Sequence, residues 1–447
     1  MNINGIINGF SKMSKEEKLK LVAGLFDHPE KVLRELKSYW HRDPKKQNLF
    51  DEFSENTLSN FYFPFGIAPN FLINGKNYMV PMVIEESSVI AAASSSAKFW
   101  AERGGFHAEV VSSEKLGQVH FIWKGDPEKL ENAMPELKKE LLAGTKAITA
   151  NMEARGGGIL DVRLVKMIDK IENYYQLKVS FETVDSMGAN FINSCLEEFA
   201  RILKEFMVKT PRFTDEEKDC EIIMSILSNY TPDCLVRAWV ECGTDQMSLG
   251  DSEMDEEKFV WKFQKAIEIA QVDEYRAATH NKGIFNGIDA LALATGNDFR
   301  AIEAGAHTYA CRNGKYQSLT ELSLENDLFH YELKVPLALG TVGGLTSLHP
   351  MARFSLEMLG KPTAKELMMI AACAGLANNF GAVKSLVTKG IQVGHMKMHL
   401  FNILNFYAAT QEEKQKAVEY FKNRKVSFKS VTDFISNQRS QILGVKS

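Results

Sequence analysis

Apolar residues recur along this chain in two rhythms, one of helices and one of strands, and the balance between them shifts near residue 113. Residues 14–40 read as helix: Leu19, Leu21, Val22 and Leu25 supply an apolar side, and Ser14 with Glu17 has the spacing of a capping box. Lys12, Lys15, Lys18 and Lys20 form a basic cluster there, read as a solvated face. Two apolar runs flank Asn74 and Gly75, a strong hairpin-turn pair, so residues 56–83 read as loop and strands. The following EESSVIAAASSSAKFWAERGG is a helix rich in small residues, with Glu85 and Glu86 at its start, where carboxylates complement the helix dipole.

From Ser113 the order becomes strand, helix, strand, strand, helix, strand. QVHFIWKG alternates, DPEKLENAMPELKKELLAG is helical, and LDVRLVKMI and YYQLKVSFETV are strand-like. In the next helix Phe191, Ile192, Cys195, Leu196, Phe199, Ile202, Leu203 and Phe206 recur at helical spacing as an amphipathic face. That order predicts a small split βαβ domain of ferredoxin-like type over residues 113–222. Residues 221–256 begin as strand and turn acidic and irregular. A later hairpin leads into LALGTVGGLTSLHP, KELMMIAACAGLANNFGAVKSLV reads as helix, and charged helices close the chain from about residue 410.

Most of the interpretable chemistry lies in RAATHNKGIFNGIDALALATGNDFRAIEAGAHTYA, residues 276–310. Gly283, Gly287, Gly296 and Gly305 are poor choices for a freestanding helix, each costing about 1 kcal/mol relative to alanine. Close packing against another helix or a bound molecule would justify them. By spacing alone Lys282 and Asp298 are a surface lysine and a helix-capping aspartate. A lysine beside a carboxylate is also a standard way to place positive charge where an oxyanion develops. Asp185–Asn190 is open to two readings as well, a plain cap with a glycine turn or a cluster of backbone N–H groups for a phosphate. At Gly340–Gly344 the alternatives are a ligand loop and a strand-edge bulge, and at His395 a packed residue and a proton donor.

Composition narrows the field without choosing within it. With 447 residues, 45% hydrophobic and 25% charged, the chain is ordinary for a globular protein of two or three domains. A net charge of −4 gives no reason to expect nucleic acid or an anionic membrane as partner. Six cysteines without a CxxC pair or zinc-ligand spacing read as free thiols, and no metal site is expected. The N-terminus has no signal-peptide pattern, and no apolar run is read as approaching the roughly 18 residues of a membrane span, so a cytoplasmic protein is expected.

Taken together, VIEESSVIAAAS, DSMGANFIN, the 276–310 stretch with TYACR, GTVGG and IQVGHM occur in an order that resembles 3-hydroxy-3-methylglutaryl-coenzyme A reductase of the bacterial class II type, from about Glu55 to His399. The resemblance implies an α+β protein. Its large helical and mixed substrate domain would come in two parts, 1–112 and 223–392, with an inserted small ferredoxin-like dinucleotide-binding domain at 113–222 and a C-terminal helical lid at 393–447. It implies catalytic roles for Glu86, Lys282, Asp298 and His395: proton supply, stabilisation of the thioester oxygen, coupling to the other two, and protonation of the departing thiolate. Ser88, Arg276, Thr279 and Asn286 would line the pocket for the substrate's carboxylate and hydroxyl. Asp185, Met187, Gly188, Ala189, Asn190, Gly343 and Gly344 would meet the nicotinamide dinucleotide.

The implied reaction reduces 3-hydroxy-3-methylglutaryl-CoA to mevalonate and CoA, in a homodimer or a higher multiple of dimers whose site is built from both chains. NADH-using relatives carry an aspartate seven residues before GGG, and Thr149 stands there in this chain, which favours NADPH over NADH. Departures from the family pattern are Ser87 in EES and the ENTLS at 55–59. The alternatives are NAD-dependent oxidation of mevalonate by the same site and a non-catalytic acyl-CoA binding protein on the same scaffold.

Overall fold

The computed structural model describes residues 6–249, 254–388, 400–422 and 424–444. The chain divides into two compact units, Met1–Pro64 and Phe65–Ser447.

In the first unit α1 (Lys15–Ala23) opens on the expected capping box: the Ser14 hydroxyl accepts from the Glu17 amide, and the Glu17 carboxylate accepts from the Ser14 amide at 2.7 Å. The single helix expected over residues 14–40 is two. Pro29, with its fixed φ and no N–H to lose, begins α2 (Pro29–Ser38), as Pro44 begins α3 (Pro44–Asp51). Lys15 ties α1 to α3 through Asp51 at 2.7 Å.

The second unit starts with the hairpin of β1 (Phe65–Ile73) and β2 (Lys76–Val83). Asn74 and Gly75 both have positive φ, as a tight two-residue turn between twisted strands requires. After α4 (Val89–Ala101) and β3 (His107–Val110) come β4 (Lys115–Trp123), α5 (Pro127–Gly144), α6 (Lys146–Glu153), β5 (Gly158–Lys166), β6 (Tyr174–Glu182), α7 (Ala189–Lys209) and β7 (Cys220–Ser228). These four strands, β4 to β7, form an antiparallel sheet in the order β5-β6-β4-β7. Its alternate residues, among them Phe121, Tyr175 and Phe181, pack with Leu137 of α5 and Leu196, Phe199 and Leu203 of α7 into a core of their own.

A second antiparallel sheet, β3-β8-β10-β9, uses β8 (Leu235–Gly243), β9 (Thr320–Glu325) and β10 (Leu328–Pro336). Between these strands run α8 (Glu256–Val272), α9 (Glu274–Ala294) and α10 (Phe299–Ala310), and after them α11 (Gly344–Leu348), α12 (Pro350–Met358) and α13 (Ala364–Val387). The sheet, α4, α9 and α13 share the largest core.

Glycine sets the distance between α9 and α13. A Cβ on Gly287 would lie 2.3 Å from the Ala374 carbonyl oxygen, and one on Gly375 would lie 2.9 Å from the Ile288 side chain. The glycines of residues 276–310 are thus explained in part by helix contact, at the cost in helix propensity that the sequence shows.

The sequence reading passed over α13 as an apolar span. By length and composition it is apolar enough to cross a membrane, with a mean hydropathy of 1.3 over 18 residues, yet 78% of that window is buried inside the fold. Its composition is that of a central core helix. The helices Gln411–Tyr420 and Phe428–Gly444 pack with Leu400, Ile403 and Leu404 around a third, smaller core that includes Phe421 and Phe434.

Candidate active site

A cleft of about 290 Å³ is lined by α9, α13 and the loop from β2 to α4. Glu86 stands in that loop, and its Oε2 accepts a hydrogen bond from Lys282 Nζ of α9 at 2.7 Å. Read from sequence alone, Glu86 was a carboxylate for the start of α4. In the structure no side chain caps α4: its N-cap is Ser88, in the left-handed region at φ 81°. A non-glycine residue there needs support from its surroundings, and such positions cluster at functional sites. Arg276, Thr279, Lys282 and Asn286 recur at three- and four-residue steps on one face of α9, whose start is fixed by the Asp273 carboxylate accepting from the Tyr275 amide at 2.9 Å.

Lys282 is not the buried lysine that oxyanion chemistry suggests. Its side chain is 59% exposed and that of Glu86 38%, because the cleft is open on this side of the chain. So exposed a pair contributes on the order of 0–1 kcal/mol, and stability does not account for it.

The α13 wall holds residues that the sequence reading missed. Asn378 and Asn379 line the cleft from within an alanine-rich apolar helix. Two adjacent amides in such a helix were the available signal, since buried amides must find partners. Asn379 Nδ2 donates to the His280 carbonyl at 2.8 Å, and its Oδ1 accepts from the Tyr331 hydroxyl. His280, also in the cleft wall, engages the Thr320 hydroxyl through Nε2 at 2.6 Å. Burial, with Arg276 adding to it, pushes its pKa down to about 3. Arg276 is itself half-buried, and burial lowers its affinity for a proton. Among the described residues no hydrogen bond or ion pair engages its guanidinium, so the cleft presents an unpaired fork of donors suited to a carboxylate.

Asp298 is not in this cleft. Its carboxylate caps α10, accepting from the Arg300 amide at 3.1 Å and the Ala301 amide at 3.3 Å, and pairs with Arg300 at 3.1 Å. From Lys282 the axis of α9 runs on to Ala294, a rise of roughly 18 Å, before the chain turns into α10. The two residues therefore do not meet within one chain. His395 lies outside the described residues.

On the same face of α9, beyond Asn286, Asp289 has a buried Oδ1 that accepts no hydrogen bond from the described residues. Burial, and then the Glu303 carboxylate of α10 beside it, push its pKa up to about 8 from 3.8. The folded state thus holds this proton more tightly than the unfolded chain. The stability it contributes is full below pH ~4 and is lost as pH rises towards about 8. Asp289→Asn, which has nothing to ionise, is expected to gain in thermal midpoint relative to wild type as pH is raised from 5 to 9. A constant difference across that range would show that Asp289 does not titrate there.

A second group of expected residues meets away from the cleft. The Thr341 amide donates to the Asp185 carbonyl at 2.8 Å, and Ser186 pairs with Val342 as an isolated bridge, so the DSMGAN turn and the GTVGG loop lie side by side. The Asp185 carboxylate accepts from the Ala364 amide at 2.8 Å, which ties the turn to the start of α13. Beneath it the buried Lys115 ammonium donates to the Ser186 carbonyl at 3.0 Å and to the Thr183 hydroxyl. Gly188, at φ 88°, is the N-cap of α7 and offers no side-chain acceptor, which leaves the first-turn amides of Ala189 and Asn190 without a side-chain cap. Met187 lies between them and Gly340, where a Cβ would be 2.5 Å from the Met187 amide nitrogen. Gly343 and Gly344 have positive φ, and a Cβ on either would meet nothing within 4 Å. Uncapped helix amides and open glycine backbone fit the pyrophosphate of a dinucleotide.

Thr149 is buried in α6, and its hydroxyl donates to the Glu153 carboxylate at 2.7 Å. Reading position 149 as free of negative charge is therefore incomplete. A carboxylate stands one helical turn away, 3.7 Å from Lys146.

Comparison with known proteins points one way. Residues 15–400 match the family model for hydroxymethylglutaryl-coenzyme A reductase. The chain is 37% identical over 419 residues to 3-hydroxy-3-methylglutaryl-coenzyme A reductase of Archaeoglobus fulgidus, an alignment that covers 92% of this chain and 90% of that one. It is 30% identical to a probable enzyme of that name from Borreliella burgdorferi, over 91% of this chain and 89% of that one. Among solved structures it is similar to the class II 3-hydroxy-3-methylglutaryl-CoA reductase of Streptococcus pneumoniae bound to NADPH, with a TM-score of 0.70 and 36% identity over 85% of this chain and 99% of that one.

Proposed function

The chain belongs to the hydroxymethylglutaryl-coenzyme A reductase family, and from that premise we propose that it reduces 3-hydroxy-3-methylglutaryl-CoA to mevalonate and CoA, using NADPH. The observation that carries the reading is the Lys282–Glu86 pair at 2.7 Å in a cleft that also holds Arg276, whose guanidinium has no partner among the described residues.

Two hydrides and two protons convert a thioester into a primary alcohol and a thiol. NADPH, when bound, supplies the hydrides. Each hydride addition leaves negative charge on the carbonyl oxygen, which the Lys282 ammonium stabilises, and Glu86 delivers the proton that neutralises it. The C–S bond breaks between the two additions: the hemithioacetal hydroxyl returns its proton to Glu86 as the thiolate leaves, and His395 protonates that thiolate so that it does not add back. Arg276 takes the free carboxylate of the substrate, while Ser88, Thr279 and Asn286 bind its carboxylate and hydroxyl alongside. Asn379 is an addition to that set. Asp298 couples to the Lys282–Glu86 pair from a second copy of the chain, a role supported by its separation from Lys282 along α9.

Asp185, Met187, Gly188, Ala189, Asn190, Gly343 and Gly344 hold the dinucleotide, with Thr149 near its ribose. The strand order β5-β6-β4-β7 supports a split βαβ cofactor domain, drawn from residue 113 to Ser228 so that it keeps the whole of β7 rather than ending at the expected 222, and set into a substrate domain of residues 1–112 and 229–392 with the lid at 393–447. The site so composed belongs to a cytoplasmic homodimer or a multiple of dimers.

One observation favours NADH as the partner instead: the Glu153 carboxylate beside Thr149 would accept from a free ribose hydroxyl. Lys146, paired to that carboxylate, offers a charge for a 2′-phosphate in its place. Thioester-dependent loss of nicotinamide absorbance is expected with NADPH and to be slower with NADH. Oxidation with NADH alone would reverse the cofactor assignment. Oxidation of neither, with binding of the thioester retained, would make the chain a binding protein.

A further inference from the structure

His280 is the most deeply buried titratable group in the wall of the cleft, and the mechanism above gives it no task. Its Nε2 is taken by the Thr320 hydroxyl at 2.6 Å, and that hydroxyl lies 3.0 Å from the Ser318 hydroxyl. The neighbouring Asn281 also holds this loop, donating to the Gln317 carbonyl at 2.9 Å and accepting from the Leu319 amide at 3.0 Å. The ring is thus fixed from behind. Its other nitrogen, Nδ1, is buried and has no hydrogen-bond partner among the described residues. Buried polar atoms without partners are rare enough to ask what they await.

One turn earlier on the same face of α9 is Arg276, whose guanidinium acts electrostatically on His280 and is likewise unengaged among the described residues. An orphan acceptor and an orphan fork of donors stand one helical turn apart.

Resting on the functional reading above, we propose that His280 is a positioning residue for Arg276: its free Nδ1 accepts one guanidinium N–H and turns the remaining donors towards the substrate's free carboxylate. With Nε2–H donating to Thr320, a neutral imidazole keeps its lone pair on Nδ1, which suits a guanidinium donor. Deep burial keeps the ring uncharged, so it does not repel the arginine it serves. Tyr331, fully buried in β10, also acts on Arg276, and burial keeps its hydroxyl protonated, so it brings no negative charge to the fork. A planar fork binds a carboxylate well only when its orientation is fixed.

Two substitutions separate the two ring nitrogens. His280→Gln reaches Thr320 as Nε2 does and lacks the acceptor at the Nδ1 position. His280→Asn places an acceptor near Nδ1 and gives up Thr320. The first is expected to raise KM for the thioester roughly tenfold or more, the scale of a hydrogen bond to a charged group, with KM for NADPH and kcat within about twofold of wild type. The second should keep KM for the thioester near wild type and lower the thermal midpoint. On the thioester whose free carboxylate is masked as a methyl ester, the penalty of His280→Gln should vanish.

An unchanged KM in His280→Gln, an equal rise for thioester and NADPH, or a penalty that persists on the methyl ester overturns the proposal. If His280→Gln does not fold, His280→Asn decides: KM near wild type supports the role, and a tenfold rise overturns it. Wild-type protein that fails to turn the thioester over defeats the functional reading itself, whereas an active wild type with an indifferent His280→Gln defeats only this inference.

Discussion

Lys282→Ala is expected to lower kcat for thioester reduction by a factor of roughly 10² to 10³ or more, the effect of removing one donor from an oxyanion site. Its folding stability should stay within about 0.5 kcal/mol of wild type, as for surface substitutions generally. The two expectations have one structural source. The Lys282 side chain is 59% exposed and pairs with a Glu86 that is itself 38% exposed, so little packing and little net ion-pair energy is lost with it. Neighbouring Ile284, which faces the core, is untouched. What goes is a positive charge at the point where each hydride addition leaves a negative one. Urea unfolding and steady-state rates on the same preparation separate the two effects. A variant within tenfold of the wild-type rate would show that the thioester oxygen is stabilised elsewhere.

How much of this was legible in the sequence depends on whether the signal was local. The Asn74-Gly75 turn and the Ser14–Glu17 capping box depend on residues within a few positions of each other, and both stand as read. The break between α1 and α2 was equally local and was missed, because the apolar spacing of Leu19 to Leu25 was weighed above Pro29. The glycines of α9 announced a close neighbour without saying which. That the neighbour is α13, with the Ala374 carbonyl against Gly287, is a contact across 87 residues that no periodicity encodes.

The candidate site divides in the same way. Residue type and order brought Glu86, Lys282, Arg276, Thr279 and Asn286 forward, and all of them line one cleft. Asn379 was hidden because an amide in an apolar helix carries no spacing of its own. Thr149 was read for the carboxylate it lacks, while the carboxylate of Glu153 lay one turn further along the same helix. Asp298 shows the limit most plainly. Its reading as a cap is correct within the chain, and whether it has a second role depends on a surface that one copy does not contain.

That second role has a test in which two inactive proteins restore each other. A contact repeated by two-fold symmetry puts residue i of one copy against residue j of the other, and the reverse. If the Lys282–Glu86 pair of one copy is completed by Asp298 of the other, a hybrid of a Lys282→Ala chain and an Asp298→Asn chain has one site with both defects and one with neither. Random association makes about half of the dimers hybrid, with one of two sites intact, so the mixture should reach about one quarter of the wild-type rate. Each variant alone should remain near background.

The geometry of this chain also fixes the control. Glu86 and Lys282 are 2.7 Å apart within one copy, so mixing Lys282→Ala with Glu86→Gln damages every site of every hybrid and should restore nothing. Recovery in the first mixture and none in the second is the expected pattern. No recovery in either would remove Asp298 from the shared site, and recovery in both would contradict the pairing of Glu86 with the Lys282 of its own chain.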